Sequence, residues 1–189
     1  MDEIVKNLGK LHGLWQGNGE GKFPTINSFK YEEHLLFEVN LAYPLIHYEQ
    51  KTILLSTQEP SHWESGFIRV LDEGIIEISN SQDSGRVEVL RGSMSDISDA
   101  RYQLEFISIA LANDPRLVKT SRNFKVTENT WEYHKSMTTN TTLQPIMLPH
   151  LHSILTKVEP PCSLLLRKRP TKTSCSSCRT SFSKLSRAF

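Results

Sequence analysis

Hydrophobic residues recur at every second position along most of this chain, and a two-residue period marks strands with one face buried. Phe29, Tyr31, Leu35, Phe37 and Val39 share one parity, and Ile46 and Tyr48 repeat the spacing. Tyr102, Leu104 and Phe106 alternate with Gln103 and Glu105, Phe124 and Val126 flank Lys125, and Trp131 and Tyr133 lead on to Met137. In the last such stretch His150, His152, Ile154 and Val158 fall on one face and Leu151 and Leu155 on the other. Breakers such as Tyr43-Pro44, Asp83-Ser84-Gly85 and Asn113-Asp114-Pro115 separate the runs. With the Trp15 to Phe23 stretch, about ten strands at hairpin spacing are predicted. Ile4, Val5, Leu8 and Leu11 fit one short amphipathic helix at the start. The expectation is an all-β fold, a ten-stranded antiparallel up-and-down barrel, because closure removes the edges so many strands would expose. An open sandwich is the alternative. A barrel of this size can hold a small ligand inside or at its mouth.

Charge divides the chain in two. The net charge is +1, yet residues 160–189 hold seven Lys/Arg and no Asp/Glu, which leaves residues 1–159 at −6. A boundary near Glu159 is expected, with the barrel over 1–159 and a basic, Ser/Cys-rich tail over 160–189. The tail lacks sustained apolar periodicity and is expected to be disordered. Arg167 to Lys172 could serve as a nuclear-localisation or nucleic-acid patch, although a solvated extension is the plainer reading. All three cysteines, Cys162, Cys175 and Cys178, lie in the tail, so no disulfide scaffold is expected. They also fall short of the four ligands a structural zinc needs. The start, Met1-Asp2-Glu3-Ile4-Val5-Lys6, has no signal-peptide character. No run approaches the roughly 20 apolar residues of a membrane span. A reducing, cytoplasmic location is expected, with the nucleus as second option. No membrane partner is expected, and nucleic acid only through the tail.

Five of the nine glycines fall between Gly9 and Gly21, and Gly13, Gly17, Gly19 and Gly21 share one parity. A strand face bare of side chains lets something flat or bulky come close; equally, a sharply bent barrel strand needs glycine for curvature. No Lys-Ser/Thr follows, so this is not a phosphate-cradling loop. G-x-S-x-G and H-E-x-x-H arrangements are absent.

Gly13-x-Trp15-x-Gly17-x-Gly19 followed by Phe23-Pro24-Thr25-Ile26 resembles the opening motif of the nitrobindins. His62-Trp63-Glu64-Ser65-Gly66-Phe67, Ser84 to Val89, and Met137-Thr138-Thr139 with Leu148-Pro149-His150-Leu151-His152 resemble further segments of that family, in order. The likeness runs from about residue 8 to residue 158 and excludes the tail. It implies a barrel similar in shape to fatty-acid-binding proteins that holds ferric haem b, converts peroxynitrite to nitrate and binds nitric oxide. A homodimer is compatible with it. Some family members carry a THAP-type zinc finger, which is not expected in a sequence with no cysteine before Cys162.

Haem iron needs an axial ligand, and seven histidines could compete for that role. The resemblance assigns it to His150, in the family's P-H-L segment, where Pro149 stiffens the approach; His152 is the rival. It also brings Thr25 to the haem, although a β-branched residue at the start of a strand needs no such role. His62 could border the open face of the haem, against the plainer reading of a surface turn histidine. A non-enzymatic carrier of a fatty acid or other apolar ligand, and a haem or nitric oxide sensor, are the competing functions.

Overall fold

The computed structural model describes residues 2–40, 43 and 45–158. The tail, with its boundary, basic patch and cysteines, lies outside the described residues. Ten strands follow in chain order: β1 Gly13–Phe23, β2 Ile26–Asn40, β3 Leu45–Leu54, β4 Pro60–Val70, β5 Ile76–Gln82, β6 Val87–Ser95, β7 Arg101–Ala112, β8 Leu117–Thr127, β9 Thr130–Thr139 and β10 Leu148–Val158. Each pairs antiparallel with the next. β10 returns to β1, from Leu14 opposite Val158 to Gly21 opposite Leu151. The sheet therefore closes into a barrel, not a sandwich. Helix α1, Asp2–Gly9, precedes β1 and buries Leu8, with Leu11 just beyond it, in the main core. Tyr102 Oη donates to the Asn7 carbonyl at 3.2 Å, and Trp15 Nε1 to the Leu11 carbonyl at 2.9 Å. The helix thus sits at the barrel end where β1 begins.

The alternation seen in the sequence is the core. Tyr31, Leu35, Phe37, Tyr102, Leu104, Phe106, Phe124, Val126, Trp131 and Tyr133 are all buried, whereas Ile154, of the opposite parity to Leu155, is 52% exposed. Trp131 organises the aromatic centre, with ring centroids 4.5 Å from Phe124 and 5.2 Å from Phe37. Such pairs contribute about 0.5–1.5 kcal/mol each beyond their burial.

The inward parity also carries charge. Glu33, Glu64, Glu88, Arg122 and Lys135 are buried inside the barrel. Arg122 Nη1 donates to Glu64 Oε1 at 2.5 Å, and its Nη2 donates to Glu64 Oε2 at 3.0 Å and Glu88 Oε2 at 2.6 Å. Lys135 Nζ lies 3.7 Å from Glu88 Oε1. Burial alone would raise the Glu64 carboxyl, but the Arg122 charge, with hydrogen bonds from His62 and Arg122, outweighs it and holds the group well below the usual carboxylate range. Burial pushes the Lys135 ammonium down to about 8, Arg122 adding to the shift and Glu88 opposing it.

Glu33 lacks a cationic partner of this kind. Gln50 Nε2 donates to its Oε1 at 2.7 Å, but Oε2 has no hydrogen-bond partner among the described residues. Burial pushes this carboxyl up to about 7, against about 4.3 in an unfolded chain. The folded state therefore holds a proton there that the unfolded state releases. That contribution to stability is full below about pH 4.3 and is lost as pH rises to about 7. Glu33→Gln keeps an acceptor for Gln50 and removes the charge. Relative to the parent, the variant is expected to gain stability progressively from pH 5 to 8, by up to about 3 kcal/mol. Urea unfolding at both pH values checks this; a difference that stays constant across the range would show that Glu33 titrates normally.

Candidate functional site

A cavity of about 1080 Å³ opens at the barrel end opposite α1. Its wall is formed by the end of β1, the start of β2, the β3–β4 turn, the middles of β8 and β9 and the start of β10. Cofactor pockets enclose roughly 300–1,000 Å³, so this space suits a group of that size. Phe29, Leu55, Pro149 and Leu151 give it apolar surface, and Lys22, Lys30 and Lys135 give it three cations against Glu20.

The row of glycines leads into this wall. A Cβ on Gly21 would lie 2.2 Å from Phe29 Cζ, and one on Gly19 2.4 Å from Tyr31 Cζ. What comes close to the bare face is therefore a pair of aromatic rings from β2, set opposite by register: Gly21 faces Phe29 and Gly19 faces Tyr31. The close approach expected from the sequence is real, but at these two positions the chain itself supplies the bulky group.

His150 reaches the wall through a β-bulge. Pro149 pairs with Ser136 and Leu151 with Lys135, so His150 is an extra residue between two registered pairs. A bulge breaks strict alternation and re-aims a side chain, and proline, with no N–H to give to a ladder, is tolerated at such a point. The expectation that His150 shares a face with His152 therefore fails. Its ring meets buried Phe23 edge-on at 5.7 Å between centroids, while the His152 ring stacks on His134 at 4.3 Å. His150 Nδ1 lies 3.1 Å from the Lys22 carbonyl. A carbonyl only accepts, so Nδ1 carries the proton, and Nε2 keeps its lone pair. No hydrogen bond to Nε2 occurs among the described residues. Burial, opposed by the Lys22 bond and aided by the charges of Lys135, Arg86 and His62, pushes the imidazole down to about 4. The ring is therefore neutral at physiological pH, with an open nitrogen in the cavity wall.

Thr25 lies in the exposed turn between β1 and β2 and does not line the cavity. His62 sits on β4, not in a turn. Its Nε2 is 3.2 Å from buried Glu64 Oε2 and its Nδ1 3.6 Å from Asp83 Oδ1. It too is absent from the wall. The sequence reading did not find the Lys22 carbonyl, because a backbone partner has no residue signature. It also missed Lys135, although that lysine keeps the parity of Trp131, Tyr133 and Met137.

These residues fit a haem. A neutral imidazole with an open nitrogen suits the iron, apolar surface suits the porphyrin, and the wall lysines suit its two carboxylates.

A family model described as the THAP4-like, heme-binding beta-barrel domain matches residues 4–157. A protein named peroxynitrite isomerase Rv2717c, from Arabidopsis thaliana, is 36% identical over 155 residues, covering 82% of this chain and 89% of its own length. A peroxynitrite isomerase of Nocardia farcinica is 33% identical over 136 residues, covering 70% of this chain and 80% of its own. The crystal structure of Rv2717c from M. tuberculosis superposes with a TM-score of 0.74 at 27% identity, covering 82% of this chain and 98% of that one.

Proposed function

The chain belongs to the THAP4-like, haem-binding β-barrel family, the nitrobindins, and we propose that it holds ferric haem b through His150 and isomerises peroxynitrite to nitrate. The observation that carries this reading is the His150 imidazole: neutral, fixed by the Lys22 carbonyl, and offering Nε2 to the large cavity. The names of the relatives supply the reaction. When bound, the haem would supply a ferric Lewis acid for the rearrangement of peroxynitrite and for nitric oxide binding. The chain supplies the rest. The Nδ1–H to Lys22 bond orients the ring and makes Nε2 a better donor. Lys22, Lys30 and Lys135 raise the potential of the wall, which draws in a small anion as well as the haem carboxylates. We also assign Thr25, in the exposed turn that follows β1, a supporting contact to the haem, as the family resemblance implies.

Stopped-flow mixing of the haem-loaded protein with peroxynitrite, free tyrosine present, tests the reaction. Faster decay to nitrate with less nitrotyrosine is expected, and the haem-free protein should show neither effect. Unchanged decay in a protein that shows a Soret band would leave a haem carrier or sensor. No Soret band after haem addition would favour the apolar-ligand carrier.

A further inference from the structure

Glu132, His134 and His152 form a second donor set that does not include His150, although His134 and His152 also line the cavity. They occupy the outward parity of β9 and β10, where their neighbours Trp131, Tyr133, Ser153 and Leu155 are buried. Register places His134 directly opposite His152, and Glu132 lies two residues back on the same face. One ligand atom from each residue comes within 4.8 Å of the others. Glu132 Oε1 is 2.9 Å from His134 Nε2 and 3.4 Å from His152 Nε2. Four-coordinate zinc with bonds of about 2.0–2.1 Å sets its ligand atoms about 3.3 Å apart, close to both glutamate–histidine spacings, and the two stacked imidazoles must turn for their Nε2 lone pairs to converge on one ion.

Two details point to an ion. The His152 Nε2 atom is buried and has no hydrogen-bond partner among the described residues, which costs free energy unless something binds it. Lys125 Nζ sits 3.2 Å from Glu132 Oε2 and so occupies the other carboxylate oxygen, leaving Oε1 toward the two rings. The remaining histidine–glutamate pairs among the described residues, His34 with Glu32, His47 with Glu38 and His62 with Glu64, lack a second imidazole.

We propose that Glu132, His134 and His152 bind a divalent transition metal of the zinc class, with water completing the tetrahedron. Two imidazoles and one carboxylate are a zinc donor set, and a site with an open position keeps a water. On binding, the Nε2 proton that His134 shares with Glu132 leaves to solvent and both Nε2 lone pairs go to the metal.

The test uses full-length protein with its cysteines alkylated, so that tail thiols cannot compete, titrated with zinc against a chromophoric chelator. One tight equivalent is expected, together with a rise in Tm. His134→Ala and His152→Ala should each weaken binding by more than the roughly 10–100-fold that loss of an outer-shell partner costs. His47→Ala should leave binding unchanged. His152→Ala should still show a Soret band with haem, and His150→Ala should still bind zinc. Absence of the tight equivalent, or zinc affinity indifferent to both His134→Ala and His152→Ala, overturns the proposal. Loss of zinc and haem together in His152→Ala would assign His152 to the haem instead. If an alanine variant unfolds, Glu132→Gln, which keeps the shape and removes the charge, decides by the same titration.

Discussion

Replacing His150 with alanine is expected to abolish the Soret band that forms when haem is titrated into the protein. The effect is large because the variant loses the imidazole whose Nε2 is left open by the Lys22 bond, while the apolar surface and the lysines stay and the two other wall histidines, His134 and His152, are stacked on each other. An apolar site without the axial bond can hold a porphyrin loosely but cannot fix its iron. His152→Ala is the control, since its ring stacks on His134 and faces Glu132. The pH profile adds a second reading. Burial pushes His150 down to about 4, where an ordinary histidine titrates near about 6.5. A ligand must be neutral to bind iron, so haem affinity should stay flat from pH 8 to about 5 and fall only toward pH 4. A Soret band that survives in His150→Ala, or haem release centred near pH 6.5 in the parent, would show that another histidine holds the iron.

Most of the wall of the barrel was legible because a buried strand face writes itself as alternation. Tyr102, Leu104 and Phe106 needed no structure to be placed. The inward stripe alone fits barrel and sandwich alike; the barrel was expected from the closure of so many edges and from the family resemblance, and the pairing of Leu14 with Val158 bears it out. His150 shows a sharper limit. Counting by twos put it beside His152, and the bulge at Pro149–Leu151 moved it to the other side of the problem. Pro149 was the available sign, because proline inside a strand run marks an edge or a bulge. For the glycines, close approach and strand curvature both stood open, and identifying Phe29 and Tyr31 as what comes close requires the β1–β2 register.

The interior charges were equally readable and were passed over. Glu33 stands in phase between Tyr31 and Leu35, and Arg122 two residues before Phe124. A charged residue in phase with buried neighbours must either have a partner or shift its pKa. Arg122 does the first and Glu33 the second. What the sequence could not give is which partners meet, because Glu64, Glu88 and Arg122 come from three separate strands.

That convergence sets the second large effect: Arg122→Met is expected to destabilise the barrel by about 3–5 kcal/mol, the usual cost of removing one member of a buried ion group. The variant leaves the Glu64 and Glu88 carboxylates buried, with Lys135 3.7 Å from Glu88 and with His62 and Tyr48 hydrogen-bonded to Glu64, but without the arginine charge that both carboxylates share. Tm should fall by about 2–4 °C per kcal/mol for a domain of this size. The pH dependence should change sign. In the parent, the depressed Glu64 and Glu88 carboxyls contribute stability above about pH 4.3, and it is lost as pH falls through their lower folded values. Without Arg122, burial dominates and raises both groups, so the variant's deficit should be largest near pH 8 and shrink toward pH 5, where they can take up protons. Adding Glu64→Gln and Glu88→Gln removes the stranded charges and should recover most of the loss, since a buried ion group often stabilises no better than a neutral replacement. Urea unfolding of the parent, the single variant and the triple variant at pH 5 and 8 separates the outcomes. A deficit in Arg122→Met that is independent of pH, or no recovery in the triple variant, would mean that the arginine acts through packing of its side chain among the aromatic residues and not as the counter-charge of the barrel interior.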